Sequence, residues 1–182
     1  RAIALADIAA RARIPLAEVH EHFPAKQDIL EAFTRILDDR VLGIEIEEQA
    51  TPRDRLFDVM MRRFEGMQPY RKAVGAILRE SGGDPYAALC GLKRFMASMA
   101  LSLEAAGIST TGLSGLAKVE AVAAIHLYTL RAWLNDDTAD LSRTMAALDK
   151  SLRRAEWLAG MLWRRPGVTS ANIHPPQVQP SP

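Results

Sequence analysis

This 182-residue chain has only four histidines and one cysteine among the residue types that most often act as nucleophiles, bases or metal ligands: His20, His22, His126, His174 and Cys90. His20 and His22 are two residues apart in a predicted helix, so they point to different sides and do not form a metal-binding pair. The sequence has no cysteine or histidine cluster, no glycine-rich phosphate loop after a strand and no G-x-S-x-G motif. We therefore expect no enzymatic activity, no metal and no cofactor.

The apolar pattern of residues 5–23 predicts a helix-turn-helix. Pro15 fixes its own φ angle and disfavours helical geometry at Ile14, so one helix should end near Arg13 and a second should begin at Pro15 or Leu16. The apolar positions that define the two helices are Leu5, Ile8, Ala9 and Ala12, followed by Ile14, Val19 and Phe23.

A longer amphipathic helix is predicted to follow the short second one. Pro24 closes the second helix, and the run from Ala25 to Asp28 opens the third. A second helix of barely two turns is suited to presenting one face to a partner. The apolar side of the third helix consists of Ile29, Leu30, Phe33, Ile36 and Leu37.

These residues resemble the DNA-binding domain of TetR-family regulators over about the first 40 positions. The matching residues are Ile8, Ala9, Ala12, Ile14, Val19, His22, Phe23, Pro24, Lys26, Ile29 and Leu30. The resemblance implies that the short helix enters the DNA major groove, while Ile14, Val19 and Phe23 form the core. By position it implies that His22 and Lys26 contact phosphate, as suits hydrogen-bond donors beside a helix N-terminus. The residues that it implies for the face toward DNA are Leu16, Ala17, Glu18, His20 and Glu21.

Three positions depart from the family pattern. Arg13 stands where a turn glycine is usual, which implies a mildly strained or different turn. Ala4 replaces a capping serine or threonine, and His20 replaces a tyrosine whose hydroxyl meets the DNA backbone.

The charge of this region is unusual for a DNA-binding domain. Residues 1–42 contain six positive and seven negative side chains, which leaves a net charge of minus one. Because phosphate neutralisation drives nonspecific binding, such a domain should bind nonspecific DNA weakly. Glu18 and Glu21 could accept hydrogen bonds from cytosine amino groups or be repelled by phosphate. The helix-turn-helix could therefore be a working DNA-binding domain or a vestigial one that no longer binds DNA.

The rest of the chain is predicted to be helical, which makes the fold all-α and TetR-like. We expect a helix-turn-helix domain over 1–42, a ligand-binding and dimerisation bundle over 43–164, and a flexible proline-rich tail over 165–182. The resemblance also implies an earlier helix that precedes Arg1, so the first helix of the domain is missing or truncated. A single cysteine, Cys90, in an apolar run suits a buried side chain and a cytoplasmic protein. No apolar run is long enough to span a membrane.

Methionine and aromatic residues on the middle helices predict an apolar ligand chamber. Five of the seven methionines lie between residues 60 and 99, and methionine adapts to varied ligands. The same residues would also suit an ordinary core, and His126 could be either a ligand contact or a hydrogen-bonded core residue. The chamber is expected to contain Phe57, Met60, Met61, Phe64, Phe95, Met96, Met99 and His126.

Two C-terminal helices carry an apolar repeat with alternating steps of three and four residues. Such a seam is typical of helices in a bundle. Because the last helix has more apolar residues than one stripe needs, we predict a homodimer interface, with a larger monomeric core as the alternative. The residues assigned to this interface are Val119, Ala123, Leu130, Trp133, Leu148, Leu152, Trp157 and Met161.

The region from Leu127 to Asp149 is also similar, more loosely, to a lipid-binding ubiquinone-biosynthesis accessory family with a TetR-like fold. Two functions follow as hypotheses. The first is a transcriptional regulator, a repressor, that binds a palindromic double-stranded DNA operator as a homodimer and is released by a small apolar effector. The second is a lipid- or quinone-binding accessory protein with a vestigial helix-turn-helix. Neither involves a membrane-embedded chain.

Overall fold

The computed structural model describes residues 3–43, 49–80 and 85–163, and every regular element in these ranges is helical. The all-α fold class is therefore confirmed. The proline-rich tail lies outside the described residues, as does the Ser81-Gly82-Gly83 stretch, whose glycines predict a break between two helices. In chain order the helices are α1 (Leu5–Ala12), α2 (Leu16–His22), α3 (Lys26–Leu42), α4 (Pro52–Met67), a short 3₁₀ helix (Gln68–Tyr70), α5 (Arg71–Glu80), α6 (Pro85–Ala105), α7 (Gly112–Leu134) and α8 (Ser142–Trp163).

The turn between α1 and α2 is made without glycine. Arg13 has the left-handed conformation, with φ 59° and ψ 36°. The Ile14 N–H reaches back to the Ala9 carbonyl at 3.1 Å, which closes the end of α1. Of the two alternatives predicted at this position, a mildly strained turn and a different turn, Arg13 adopts the strained one, since the left-handed conformation is unfavourable for residues with a Cβ atom.

The N-cap residues of α1 and α3 are alanines, which have no side-chain oxygen to cap the helix. In each case an aspartate three residues later accepts a hydrogen bond from the alanine N–H. The Ala4 N–H donates to Asp7 at 2.9 Å, and the Ala25 N–H donates to Asp28 at 2.7 Å. Each pair is half of a capping box, because alanine has no side-chain oxygen that could accept a hydrogen bond from the backbone N–H of the aspartate.

The bundle is built around α4 and α7. α7 packs against α8 and α6, while α3 packs against α4 and α6 and so connects the helix-turn-helix to the bundle. The core side chains with the least exposure belong to α3, α4, α6, α7 and α8, and they are Val41, Met60, Phe64, Met99, Trp133 and Leu148.

The apolar faces of the N-terminal helices are only partly covered. Val19 is buried and Phe23 is half-buried, but Ile14, expected in the core, is 41% exposed. On α3, Leu30 and Ile36 are 41% and 52% exposed, although both were predicted on the apolar side. Within the described residues, the neighbouring helices cover only part of the apolar face of each of these helices.

No helix among the described residues is long and apolar enough to cross a membrane.

Candidate nucleic-acid interface and ligand chamber

All seven residues assigned to DNA contact have exposed side chains in the structure. Val19 is 8% exposed and is the buried residue of α2. The other side chains of this helix are exposed to solvent. The Lys26 ammonium lies 3.5 Å from the Ile3 carbonyl, close to the start of α1. The exposed set, Leu16, Ala17, Glu18, His20, Glu21, His22 and Lys26, is geometrically available to a ligand of any kind.

A buried ion pair ties α3 to the bundle. Arg63 on α4 donates to Asp38 on α3 at 2.7 Å, and their side chains are only 4% and 8% exposed. Arg63 also donates to Ser98 on α6 at 2.7 Å, while Ser98 itself hydrogen-bonds to Asp38. Arg94 donates to the second Asp38 oxygen at 3.3 Å. The cluster joins three helices through one carboxylate.

Sequence reasoning missed this cluster. The available signal was a charged residue on the apolar face of each helix, because Asp38 lies between Leu37 and Val41 and Arg63 lies between Met60 and Phe64. Beside it, α3 and α6 border a cleft of about 340 Å³, whose lining includes Asp38, Arg94 and Ser98.

The eight predicted chamber residues lie together. Met60, Met61, Phe64, Met99 and His126 are buried, while Phe57, Phe95 and Met96 are partly buried against the same cluster. The His126 ring stacks on Phe64 with centroids 4.9 Å apart, and Phe95 lies 5.5 Å away. Burial, together with the positive charge of Arg63, lowers the pKa of His126 to about 3. His126 is therefore neutral at physiological pH.

Three polar side chains on one face of α7 lack hydrogen-bond partners. His126 Nδ1, Thr129 Oγ1 and Trp133 Nε1 are buried atoms with no partner among the residues that the structure describes, and Arg63 Nε is in the same condition. Residues three and four apart share a helix face, so the three side chains of α7 form a line. We call His126, Thr129 and Trp133 the α7 polar row.

Six of the eight residues assigned to a dimer interface are instead core residues of the protomer. Their exposure is between 0% and 7%, so they are unavailable to a second chain, which corrects their assignment: Val119, Ala123, Leu130, Trp133, Leu148 and Leu152. Their three-four repeat packs α7 and α8 into the bundle. Trp157 is 65% exposed, and the Met161 side chain lies outside the described residues. The apolar residues that α7 and α8 do expose are Leu113, Leu116, Leu127, Tyr128, Trp157 and Leu158.

A second buried carboxylate, Asp136, stabilises the turn before α8. It accepts hydrogen bonds from the Thr144 N–H at 2.8 Å and the Thr144 hydroxyl at 2.7 Å, and from the Thr138 N–H at 3.1 Å. Burial alone would raise the pKa of Asp136, but these hydrogen bonds outweigh it and hold the pKa well below its usual range. The role of Asp136 was not predicted from the sequence.

The fold is that of TetR transcriptional regulators. A TetR transcriptional regulator from Nitrosomonas europaea ATCC 19718 superposes with a TM-score of 0.69 at 20% identity, over 86% of this chain and 87% of that one. A TetR transcriptional regulator from Rhodococcus sp. RHA1 gives 0.56 at 18% identity, over 82% and 84% of the two chains. Neither family models nor curated protein sequences gave a match.

Proposed function

We propose that the protein is a ligand-responsive transcriptional repressor in the cytoplasm that binds a palindromic operator as a homodimer. The observation that carries the proposal is the exposed outer face of α2, held by a short helix-turn-helix on a TetR-like fold. A helix of seven residues with one buried anchor contributes little to the core, so its outward side chains are free to read base edges.

A homodimer would place two copies of α2 on successive half-sites. The large apolar side chains that α7 and α8 leave exposed, among them Leu127 and Trp157, support this assembly, because exposed apolar surface on a protomer can mark an interaction site. Leu127→Glu should therefore yield monomers in analytical ultracentrifugation. Leu92→Glu, at a leucine on α6 with similar exposure, is the matched control and should leave the dimer intact. Dimers in both variants would show that α7 is not the interface.

The effector is proposed to act through α3, which follows the helix-turn-helix in the chain and packs against α4 and α6 of the bundle. The Asp38–Arg63 pair fixes α3 against α4 and α6, so a ligand that moves Arg63 would shift the position of α2. An effector shifts such an equilibrium only by its different affinities for the two arrangements.

Gel-shift assays with the upstream DNA of the protein's own gene, across a salt series, test the DNA-binding step. Lys26→Ala should weaken binding and lower the slope of log K against log salt by about 1 if Lys26 contacts one phosphate. Lys72→Ala, an exposed lysine on α5, is the control and should change neither. Equal effects of the two substitutions would count against α2 and α3 as the DNA surface.

The alternative function is a lipid- or quinone-binding accessory protein. Glu18 and Glu21, both exposed on α2, favour it because carboxylates repel phosphate. This alternative predicts no DNA binding even at low salt and a lipid that co-purifies with the protein. Specific binding that tightens at low salt would exclude it.

A further inference from the structure

The cleft between α3 and α6 lies apart from the predicted ligand chamber. Its volume is about 340 Å³, and none of the eight chamber residues lines it. The lining residues run from Arg35 to Leu42 on α3 and from Arg94 to Leu101 on α6, at steps of three, one and three residues in each helix. Residues at this spacing share one helix face, so each wall is about 10 Å long.

The cleft has a charged end and an apolar end, because α3 and α6 run in the same direction. Three sets of contacts along α4 and the 3₁₀ helix after it fix this direction: Arg63 with Asp38 and Ser98, Arg55 with Ala106, and Tyr70 with Phe33. The residue numbers on α3 and α6 fall as those on α4 rise, so both helices are antiparallel to α4. Arg35 and Arg94 therefore share one end of the cleft, and Leu42 and Leu101 share the other.

The Arg94 guanidinium has hydrogen-bond capacity left for a ligand. Its one hydrogen bond among the described residues goes to Asp38 at 3.3 Å, and its Nε is buried without a partner there. The other Asp38 oxygen accepts from Arg63 and Ser98. One carboxylate thus serves two guanidinium groups, which leaves one positive charge of this cluster without a counter-charge.

The remaining charged residues of the cleft define the charge of a suitable ligand. Arg35 is 65% exposed and lies 3.5 Å from Glu31 of the same helix, a surface pair that contributes little and can be exchanged for another anion. Guanidinium groups only donate hydrogen bonds, and their geometry matches a carboxylate. Asp39, which also lines the cleft, would repel a second negative charge.

We propose that this cleft binds a small organic monocarboxylate. Its carboxylate contacts Arg94 and Arg35, and its apolar part lies toward Leu42 and Leu101. The site is additional to the apolar chamber of the proposed function. Because the ligand bridges α3 and α6, it stabilises one position of α3 against the bundle, and the effect of this on DNA binding rests on the proposed function.

Benzoate, benzamide and terephthalate test the ligand class by equilibrium dialysis against the full chain at low ionic strength. Benzoate should bind at least about tenfold more tightly than benzamide, which has the same shape without the charge, because charge-assisted hydrogen bonds are the stronger ones. Terephthalate carries a second carboxylate and should bind more weakly than benzoate. Equal binding of benzoate and benzamide would overturn the proposal, as would inorganic phosphate binding as tightly as benzoate.

A matched pair of substitutions on α6 tests the contact with Arg94. Arg94→Gln should weaken benzoate binding at least about tenfold. Lys93→Gln removes the same charge from the neighbouring exposed position, which does not line the cleft, and should leave the affinity nearly unchanged. Circular dichroism and the Tm of both variants check that they fold. Equal losses in the two variants would contradict the proposal, because they would reflect overall charge rather than this site.

Asp39→Asn provides a test that loss of folding cannot imitate, because it should increase affinity. Removing this exposed carboxylate should tighten benzoate binding by about two- to fivefold, and terephthalate binding by more. Weaker benzoate binding in Asp39→Asn would overturn the proposal, since it would mean that Asp39 holds a donor group of the ligand.

Gel shifts with the same variants separate failure of this site from failure of the regulator. Benzoate binding that depends on Arg94, in a protein that binds no DNA at any salt concentration, would retain the site and reject the repressor. DNA release by an apolar compound that is unchanged in Arg94→Gln, with no effect of benzoate on the gel shift, would retain the repressor and reject the cleft as a regulatory site.

Discussion

Asp136 and the α7 polar row lie close together in the same bundle and are equally inaccessible to solvent, but they differ in their hydrogen bonds. The Asp136 carboxylate accepts from Thr138 and from both the backbone and the hydroxyl of Thr144. His126, Thr129 and Trp133 each retain a buried atom that has no hydrogen-bond partner in the part of the chain that the structure describes. Burial is thus the same in the two regions, and only the satisfaction of the polar groups differs.

This difference separates buried polar groups that stabilise the fold from those that destabilise it. A satisfied buried group stabilises the fold and has no capacity left for another molecule. An unsatisfied group destabilises the folded protein. The Asp38–Arg63 cluster belongs with Asp136 in the first class, apart from Arg63 Nε and Arg94 Nε, which have no hydrogen-bond partner among the described residues. Four predictions test the contrast, beginning with the largest effect.

Arg63→Met should destabilise the protein by about 3–5 kcal/mol, because it leaves the Asp38 carboxylate buried without its main counter-charge. The measurement is the free energy of unfolding in urea. The double variant Asp38→Leu with Arg63→Met removes both charges and should recover most of the loss. A double variant no more stable than Arg63→Met alone would show that Asp38 contributes by another route.

The second prediction concerns acid stability and His126. Its pKa falls from the ordinary 6.5 to about 3 on folding, so the unfolded chain binds more protons below pH 6.5. Stability is therefore complete above that pH and is lost as the pH falls toward 3, by up to about 1.4 kcal/mol per pH unit. Between pH 6.5 and 5 the expected loss is about 2 kcal/mol.

His126→Phe keeps a ring beside Phe64 and should remove this part of the pH dependence in urea melts. Thr129→Val, one turn away, is the control and should retain it. The same slope in His126→Phe and in the unaltered protein would place a proton acceptor near His126.

Asp136→Asn should cost about 1–2 kcal/mol at pH 7, because the amide keeps one acceptor oxygen but loses the charge that binds the N–H groups of α8. Hydrogen bonds hold the pKa of Asp136 low in the folded state, so this stabilisation is present above about pH 4 and is lost as the pH falls further. Thermal melts of the variant and the unaltered protein should therefore converge in strong acid. A constant gap at all pH values would indicate that the charge has no role.

The smallest effect is expected at an exposed helix end. Ala4→Ser supplies the acceptor that α1 lacks and should stabilise the protein by about 0.5–1 kcal/mol, by completing the capping box with Asp7. Ala10→Ser, within α1 and exposed, is the control and should not stabilise. If Ala4→Ser gives no gain in stability, water already satisfies the first backbone N–H groups of α1 as well as a serine hydroxyl would. Water could do so because this helix end is exposed, whereas the α7 polar row is buried.

Several parts of the fold were predictable because they depend on neighbours in the sequence. Pro15 and Pro24 set the limits of α2, and Thr51 with Pro52 sets the start of α4. A strained turn at Arg13 was one of two predicted alternatives, and Arg13 is left-handed in the structure. The side that each long helix turns to a neighbour was less predictable. Leu30 and Ile36 fit an apolar stripe yet are exposed, because a stripe does not specify how much of it another helix covers.

The sequence by itself determined an all-α chain with a helix-turn-helix near its start, since local spacing, prolines and caps govern where helices begin and end. Only the tertiary structure decided which partners the buried polar groups have. Asp38 and Arg63 are 25 residues apart in sequence and 2.7 Å apart in space, and the three-four repeat of α7 and α8 fills the protomer's own core. Pairing and burial depend on contacts between helices distant in the chain, which no local pattern encodes.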